Sequence, residues 1–304
     1  MDANHAPLIS IGIPTYNRVT SLARSIASAR AQTHENVDIV ICDNASTDET
    51  ESLCRRIASE DPRVRYVRHP RNIGPEENFA ATLRLARGEF FMWVADDDWI
   101  DPDYVRACYD VLRGDPETSI VVGESHYYEA DVFHHVEPIL NLTTDLASLR
   151  VLFYLWKVDR NGPFYGLMRR REIAAVALER SNGRLHHGQL AGDWFVIAAM
   201  AFRGRIRTRR GVAIHRGMAG ESAQIQRLIR RFALPPFVSR HPWGYVAMRA
   251  IANIGWESST YASMTSRHVL GVLAASVILN RRRWRGRSDR LEQRVAAYIA
   301  MARR

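Results

Sequence analysis

Lysine is almost missing from this chain. Lys157 is the only one among 304 residues, so the other members of its 42 basic side chains are arginines. Cysteine is scarce too. Cys42, Cys54 and Cys108 are odd in number and lack metal-ligand spacing, which excludes a disulfide framework and a thiolate metal cluster. The expectation is of small buried side chains in a reducing compartment. Long apolar runs are also absent: the longest, "VLGVLAASVIL" (269–279), has eleven residues, too short to span a bilayer. The opening "MDANHAPLISIGIP" has neither a basic leader nor a long apolar core, so the expectation is of a cytoplasmic chain without a signal peptide. No repeat and no low-complexity tract is visible.

What is present is an ordinary globular composition, 46% apolar and 25% charged, enough for one large domain with an appendage. The net charge of +9 hides a split. Residues 1–200 hold 21 basic and 29 acidic side chains, whereas residues 201–304 hold 21 and 4. A basic C-terminal third on an acidic body suggests a polyanionic partner for that region.

The first half alternates strand and helix patterns. "LISIGIPTY" (8–16) reads as a strand, residues 17–32 as a helix through Leu22, Ile26 and Ala29, and "VDIVICDN" (37–44) as a strand. A helix over 46–59 is expected to open with a capping box, Ser46 with Glu49. Strand 63–70, helix 75–88 between Pro75 and Gly88, and strand 89–95 come next. The last strand, "EFFMWVA", is apolar on both faces and belongs inside a sheet with helices on both sides. In such α/β sheets ligands bind beyond the carboxyl ends of the strands. Tyr16–Asn17, Asp43–Asn44, His69–Gly74 and Asp96–Asp98 all fall there.

Asp96, Asp97 and Asp98 pose a problem of mutual repulsion. They are either surface residues before a helix starting near Asp101–Pro102, or carboxylates that hold a divalent cation carrying a diphosphate.

Four segments stand in an order of their own: "SIGIPTYNR" (10–18), "VDIVICDNASTDET" (37–50), "RNIGPEENFAATLRLARGEFFMWVADDD" (71–98) and "AGDWFVI" (191–197). In them the chain resembles the nucleotide-sugar-dependent, inverting glycosyltransferases of family 2, which have the GT-A fold. The resemblance implies a central, mostly parallel mixed sheet flanked by helices. The catalytic domain is expected over 1–225, with a nucleotide-binding half (1–100) and an acceptor half (101–225), and a basic helical region over 226–304. The resemblance implies a donor of the UDP, dTDP or GDP type and a polysaccharide, lipid-linked or small-molecule acceptor. It places Pro14, Thr15, Tyr16 and Arg18 in a nucleotide loop, Asp43 on the base or ribose, and Arg71, Asn72, Gly74 and Asn78 at the donor, with Asp96 on ribose or sugar. Asp97, and with it Asp98 and His215, would hold Mn²⁺ or Mg²⁺. Asp193 would be the catalytic base and Arg216 a phosphate partner. The family's Asp-x-Asp-Asp pattern is broken at Ala95, which leaves Asp96 with Asp98 as an alternative metal pair.

Plainer roles stand beside these: a turn at Asp43–Asn44, capping by Ser46 and Asp48, a turn at Gly74–Pro75, a cap at Asp193, a structural His215. His134–His135 and His186–His187 lack ligand spacing. Trp156, Phe164 and Tyr165 suit either sugar stacking or core packing. The C-terminal third reads as helices, and Arg281, Arg282, Arg283, Arg285 and Arg287 around Trp284 suit either the inner surface of a membrane or packing against the body or a second subunit, as in a homodimer. No nucleic-acid module is present. Two other classes compete: a non-catalytic nucleotide- or carbohydrate-binding module, and a dinucleotide oxidoreductase, disfavoured because "GIPTYNR" stands where G-x-G-x-x-G is needed.

Overall fold

The computed structural model describes residues 6–129, 131–157, 161–178 and 192–217, all within one compact unit ending at Ile225. The expected C-terminal helices, the Arg281–Arg287 cluster and His186–His187 lie outside these residues, as does the boundary at 225.

Three strands carry the buried interior of the first half: β1 (Ile9–Thr15), β2 (Val37–Asp43) and β4 (Phe90–Trp93), each buried at every position. Burial on both faces is what their unbroken apolar character demands. β3 (Val64–Arg68) is the edge, and most of its residues are partly open. The four run parallel in the order β3-β2-β1-β4. Between them lie α1 (Val19–Arg30), α2 (Thr50–Glu60) and α3 (Pro75–Leu85). α1 buries Leu22, Ile26 and Ala29 as its spacing predicts.

The capping box is not formed. α2 begins at Thr50, because Ser46 and Asp48 serve the neighbouring loop instead. Ser46 Oγ accepts the Asn17 N–H at 2.9 Å, and Asp48 accepts the N–H groups of Val19 and Thr50, each at 3.1 Å. Asp48 thus caps two helix starts at once.

The second half consists of β5 (Trp99–Ile100), α4 (Tyr104–Gly114), β6 (Thr118–Glu129), β7 (Val132–Val136), α5 (Ala147–Lys157), a 3₁₀ turn (Gly162–Tyr165), β8 (Leu167–Arg169), α6 (Arg170–Ala177), α7 (Gly192–Arg203) and β9 (Arg205–Gly217). β8 joins β4 and β6 antiparallel, and β9 lies parallel to β6. The described strands form one mixed sheet in the order β3-β2-β1-β4-β8-β6-β9-β5, with β7 beside β6. Trp99 of β5 pairs with His215. That pairing returns the end of β9 to the segment immediately after the acidic triplet. Among the described residues, no helix is long and apolar enough to cross a membrane.

Candidate functional site

The loops after β1, β2 and β3 are tied to one another at the carboxyl edge of the sheet. Asn78, on α3 and buried, donates to Cys42 O (2.9 Å) and Thr15 O (3.4 Å), while its amide oxygen faces His69 Nε2 at 3.1 Å. One amide therefore joins three strand ends. Asn44 Nδ2 donates to Asn72 Oδ1 (3.0 Å), and Ile73 N–H donates back to Asn44 Oδ1 (2.8 Å). Gly74 precedes α3 with φ +89, a conformation that side chains rarely adopt. Arg71 stands exposed on this loop.

Several residues expected at the nucleotide have partners within the chain. Asn78 is one. Asp43 is another: fully buried, it accepts from Ser46 N–H (2.8 Å) and Tyr66 OH (2.6 Å), with Arg68 Nε 3.6 Å away. Pro14 and Thr15 are buried in the end of β1, so that the exposed part of the first loop is Tyr16, Asn17 and Arg18. A cavity of about 410 Å³ opens beside it, lined by Arg18, Arg24, Asp48 and Asp131 among others.

The three consecutive carboxylates part company. Asp96 accepts from Thr15 Oγ1 (2.9 Å) and Tyr16 N–H (3.3 Å). Asp97 accepts from Arg18 Nη1 at 2.7 Å, and Arg18 Nε is 3.8 Å from Asp96. Both therefore face one guanidinium. Asp98 is buried instead, 3.6 Å from Arg216 Nε and accepting the Gly217 N–H at 3.2 Å. Burial, reinforced by the charge of Asp97, raises the Asp96 carboxyl to about 6, and burial raises Asp98 to about 7 against the pull of Arg216.

At the end of β9, His215 and Arg216 have partners within the chain. His215 Nε2 lies 2.8 Å from Asp101 Oδ1 and its Nδ1 lies 3.1 Å from Tyr128 OH, with its ring stacked on Trp99. Arg216 is buried, donates to Tyr127 OH, and lies 4.4 Å over the Tyr165 ring. Asp98 is the buried counter-charge of that arginine.

Asp193 occupies the first turn of α7, where Asn161 Nδ2 donates to its Oδ2 at 2.7 Å. Tyr165, partly buried at the end of the 3₁₀ turn that follows Asn161, has the Arg216 guanidinium over its ring, and burial raises its hydroxyl against the pull of that arginine. Phe164 belongs to the core, stacked on Trp93 at 4.6 Å; the Trp156 side chain lies outside the described set. Asn161, Tyr154 and Ser25, whose hydroxyl donates to Ala95 O and Asp98 O, do not stand out in the sequence. Only the Asn161–Gly162 pair carries a signal there, as a turn.

A family model described as glycosyl transferase family 2 matches residues 10–175, more than half of the chain. The chain belongs to glycosyl transferase family 2. The matched span includes every loop from β1 to β4 and stops before Asp193 and β9. A chondroitin synthase of Escherichia coli is 37% identical over 110 residues, which cover 36% of this chain and 16% of that protein. A hyaluronan synthase of Pasteurella multocida is 34% identical over 105 residues, 34% of this chain and 11% of that one. The chain thus spans a small part of the length of these relatives. Among solved structures, TarS 1–349 of S. aureus in complex with UDP aligns with a TM-score of 0.55 at 13% identity, covering 92% of each chain. The mannosyltransferase PcManGT of Pyrobaculum calidifontis, in complex with GDP-Man and Mn²⁺, aligns with a TM-score of 0.51 at 16% identity over 93% of this chain and 89% of that one. The fold of this family 2 chain is GT-A.

Proposed function

We propose that this family 2 protein transfers a sugar, with inversion, from a nucleoside-diphosphate sugar to a hydroxyl of a glycan, lipid-linked or small acceptor, with help from Mn²⁺ or Mg²⁺. The observation that carries the reading is the Asp96–Asp97 pair, two carboxylates facing one cation where the loops of β1 to β4 meet. Among the described residues no cluster of three or more His, Cys, Asp or Glu encloses an ion. Two carboxylates with diphosphate oxygens suffice for a hard divalent ion, and the site already stabilises positive charge in the form of Arg18. Asp96 and Asp97 would hold that ion, which supplies charge neutralisation to the departing diphosphate.

The chain's own groups supply the rest. Tyr16, Arg18, Asn72 and Gly74 border the nucleotide, and the exposed Arg71 offers a fork of donors to its phosphates. The acceptor oxygen attacks the anomeric carbon from the face opposite the diphosphate. Its proton passes to the Asp193 carboxylate, and the anomeric C–O bond breaks with its electron pair leaving on the nucleoside diphosphate. UDP and GDP are the first donors to try, since structural neighbours were solved with them.

The test is a thermal-shift screen of UDP, dTDP and GDP with and without Mn²⁺ or Mg²⁺. A nucleotide at one hundred times its Kd stabilises by about 2.7 kcal/mol, a rise of several degrees, and Asp97→Ala removes the metal-dependent part. No rise with any of the three would overturn the reading.

A further inference from the structure

The Asp193 carboxylate is held by an unusual residue. Asn161 donates to Asp193 Oδ2 at 2.7 Å, and its amide oxygen accepts from Tyr154 OH at 2.6 Å. Both Asn161 and Tyr154 are buried. Burial, with Asp193 and Glu137 nearby, raises the Tyr154 phenol well above its ordinary value, so the phenol remains a donor. A carboxylate only accepts, so the amide NH₂ faces Asp193 and the amide oxygen is left for the phenol.

The backbone at this point is also out of the ordinary. Asn161 has φ 54 and ψ 42, left-handed values that asparagine tolerates better than most residues. The next residue is packed closely, since a Cβ on Gly162 would lie 2.5 Å from the Glu137 carboxylate and 2.7 Å from the Ser125 hydroxyl. A left-handed conformation at a non-glycine residue persists where the surroundings over-determine it, and such places cluster at active sites.

We infer that Asn161 is the positioning residue for Asp193: through the Tyr154–Asn161–Asp193 chain it holds the base in one orientation and in its ionised form. The inference rests on the reading of Asp193 as the base. Tyr154 lies on α5, so this helix too gains a task in the reaction.

Asn161→Gly is the clean variant, since glycine keeps the left-handed backbone and removes only the amide. Release of nucleoside diphosphate is measured from UDP-GlcNAc and GDP-mannose with Mn²⁺. In Asn161→Gly, kcat falls about tenfold to a hundredfold, the size typical of losing a group that orients another. The KM for donor and the thermal shift given by UDP or GDP stay as in the wild type. The acid limb of kcat/KM moves to higher pH, because the ionised carboxylate has lost a donor. Asn161→Asp, which places a like charge there, moves it further, and Tyr154→Phe moves it less in the same direction. Wild-type kcat and pH profile in Asn161→Gly overturn the inference, as does a loss of nucleotide binding parallel to the loss of turnover. Asp193→Asn separates the two levels: if it turns over normally, the base itself is misassigned, whereas an inactive Asp193→Asn beside an unaffected Asn161→Gly sinks only the positioning role.

Discussion

Arg18 Nη1 lies 2.7 Å from Asp97 Oδ2 and Arg18 Nε 3.8 Å from Asp96 Oδ1. The protein thus supplies its own counter-ion to the two carboxylates proposed to hold a metal. An added cation has to displace it. Partly exposed pairs of this kind are worth up to about 1 kcal/mol, so Arg18→Gln is expected to tighten Mn²⁺ binding without nucleotide by roughly fivefold, measured by calorimetry or the Mn²⁺ resonance signal. The same variant should weaken nucleotide binding in the presence of metal, because the released guanidinium no longer meets the diphosphate.

Adjacent carboxylates should respond oppositely to removal. Asp97→Ala leaves folding stability nearly unchanged and abolishes metal-dependent stabilisation by nucleotide. Asp98→Ala removes the counter-charge of the buried Arg216, and breaking a buried pair in this way costs about 3 kcal/mol or more. Urea unfolding of both variants, with and without Mn²⁺ and UDP, distinguishes them. Equal stability losses would refute the division of labour.

The pH dependence has a definite sign. Asp96 and Asp98 have folded-state values of about 6 and 7, raised above the ordinary 3.8. Between about pH 4 and 7 the folded protein therefore binds protons that the unfolded chain has released, and their contribution to stability falls as pH rises through this window. Metal-free protein should carry this destabilising slope, and Asp96→Asn should flatten it. Stabilisation by Mn²⁺ should be larger at pH 8 than at pH 5.5, since a metal binds carboxylate without competing protons. Urea midpoints across that range test each statement.

Asn78→Ala tests whether this residue is a nucleotide contact or a clamp. Its amide joins β1, β2 and the loop after β3, and unmaking buried hydrogen bonds costs about 1 to 3 kcal/mol for each group left unsatisfied. The variant is expected to lose about 3 kcal/mol of stability, measured by urea unfolding. What folded protein remains should bind UDP or GDP with nearly normal affinity. A stable variant that no longer binds nucleotide would restore the contact role.

The first half of the fold is legible in the sequence because its signals are local. Isoleucine runs in β1 and β2, the Leu22–Ile26–Ala29 stripe and the Pro75 start of α3 each act within a few residues. The crevice at the strand ends comes from order alone. What local pattern does not give comes from distant partners. Ser46 and Glu49 form a plausible cap in isolation, yet Asn17 and Val19 claim the Ser46 and Asp48 oxygens from another loop. The partners of His215 and Arg216 are likewise out of local reach, because the β6–β9 pairing that brings Tyr128 and Tyr127 to them joins residues about ninety positions apart. Asn161 is hidden for the same reason, because its meaning lies in Tyr154 and Asp193 rather than in its neighbours.

The scarcity of lysine has a counterpart at the triplet. Among the described residues, the cations that face it are Arg18 and Arg216, and a guanidinium carries a fixed charge. Its positive side is therefore constant. Only the acidic side can be tuned, by a proton taken up from solution or by an ion arriving with its cargo, and the two adjustments exclude each other at the same oxygen atoms.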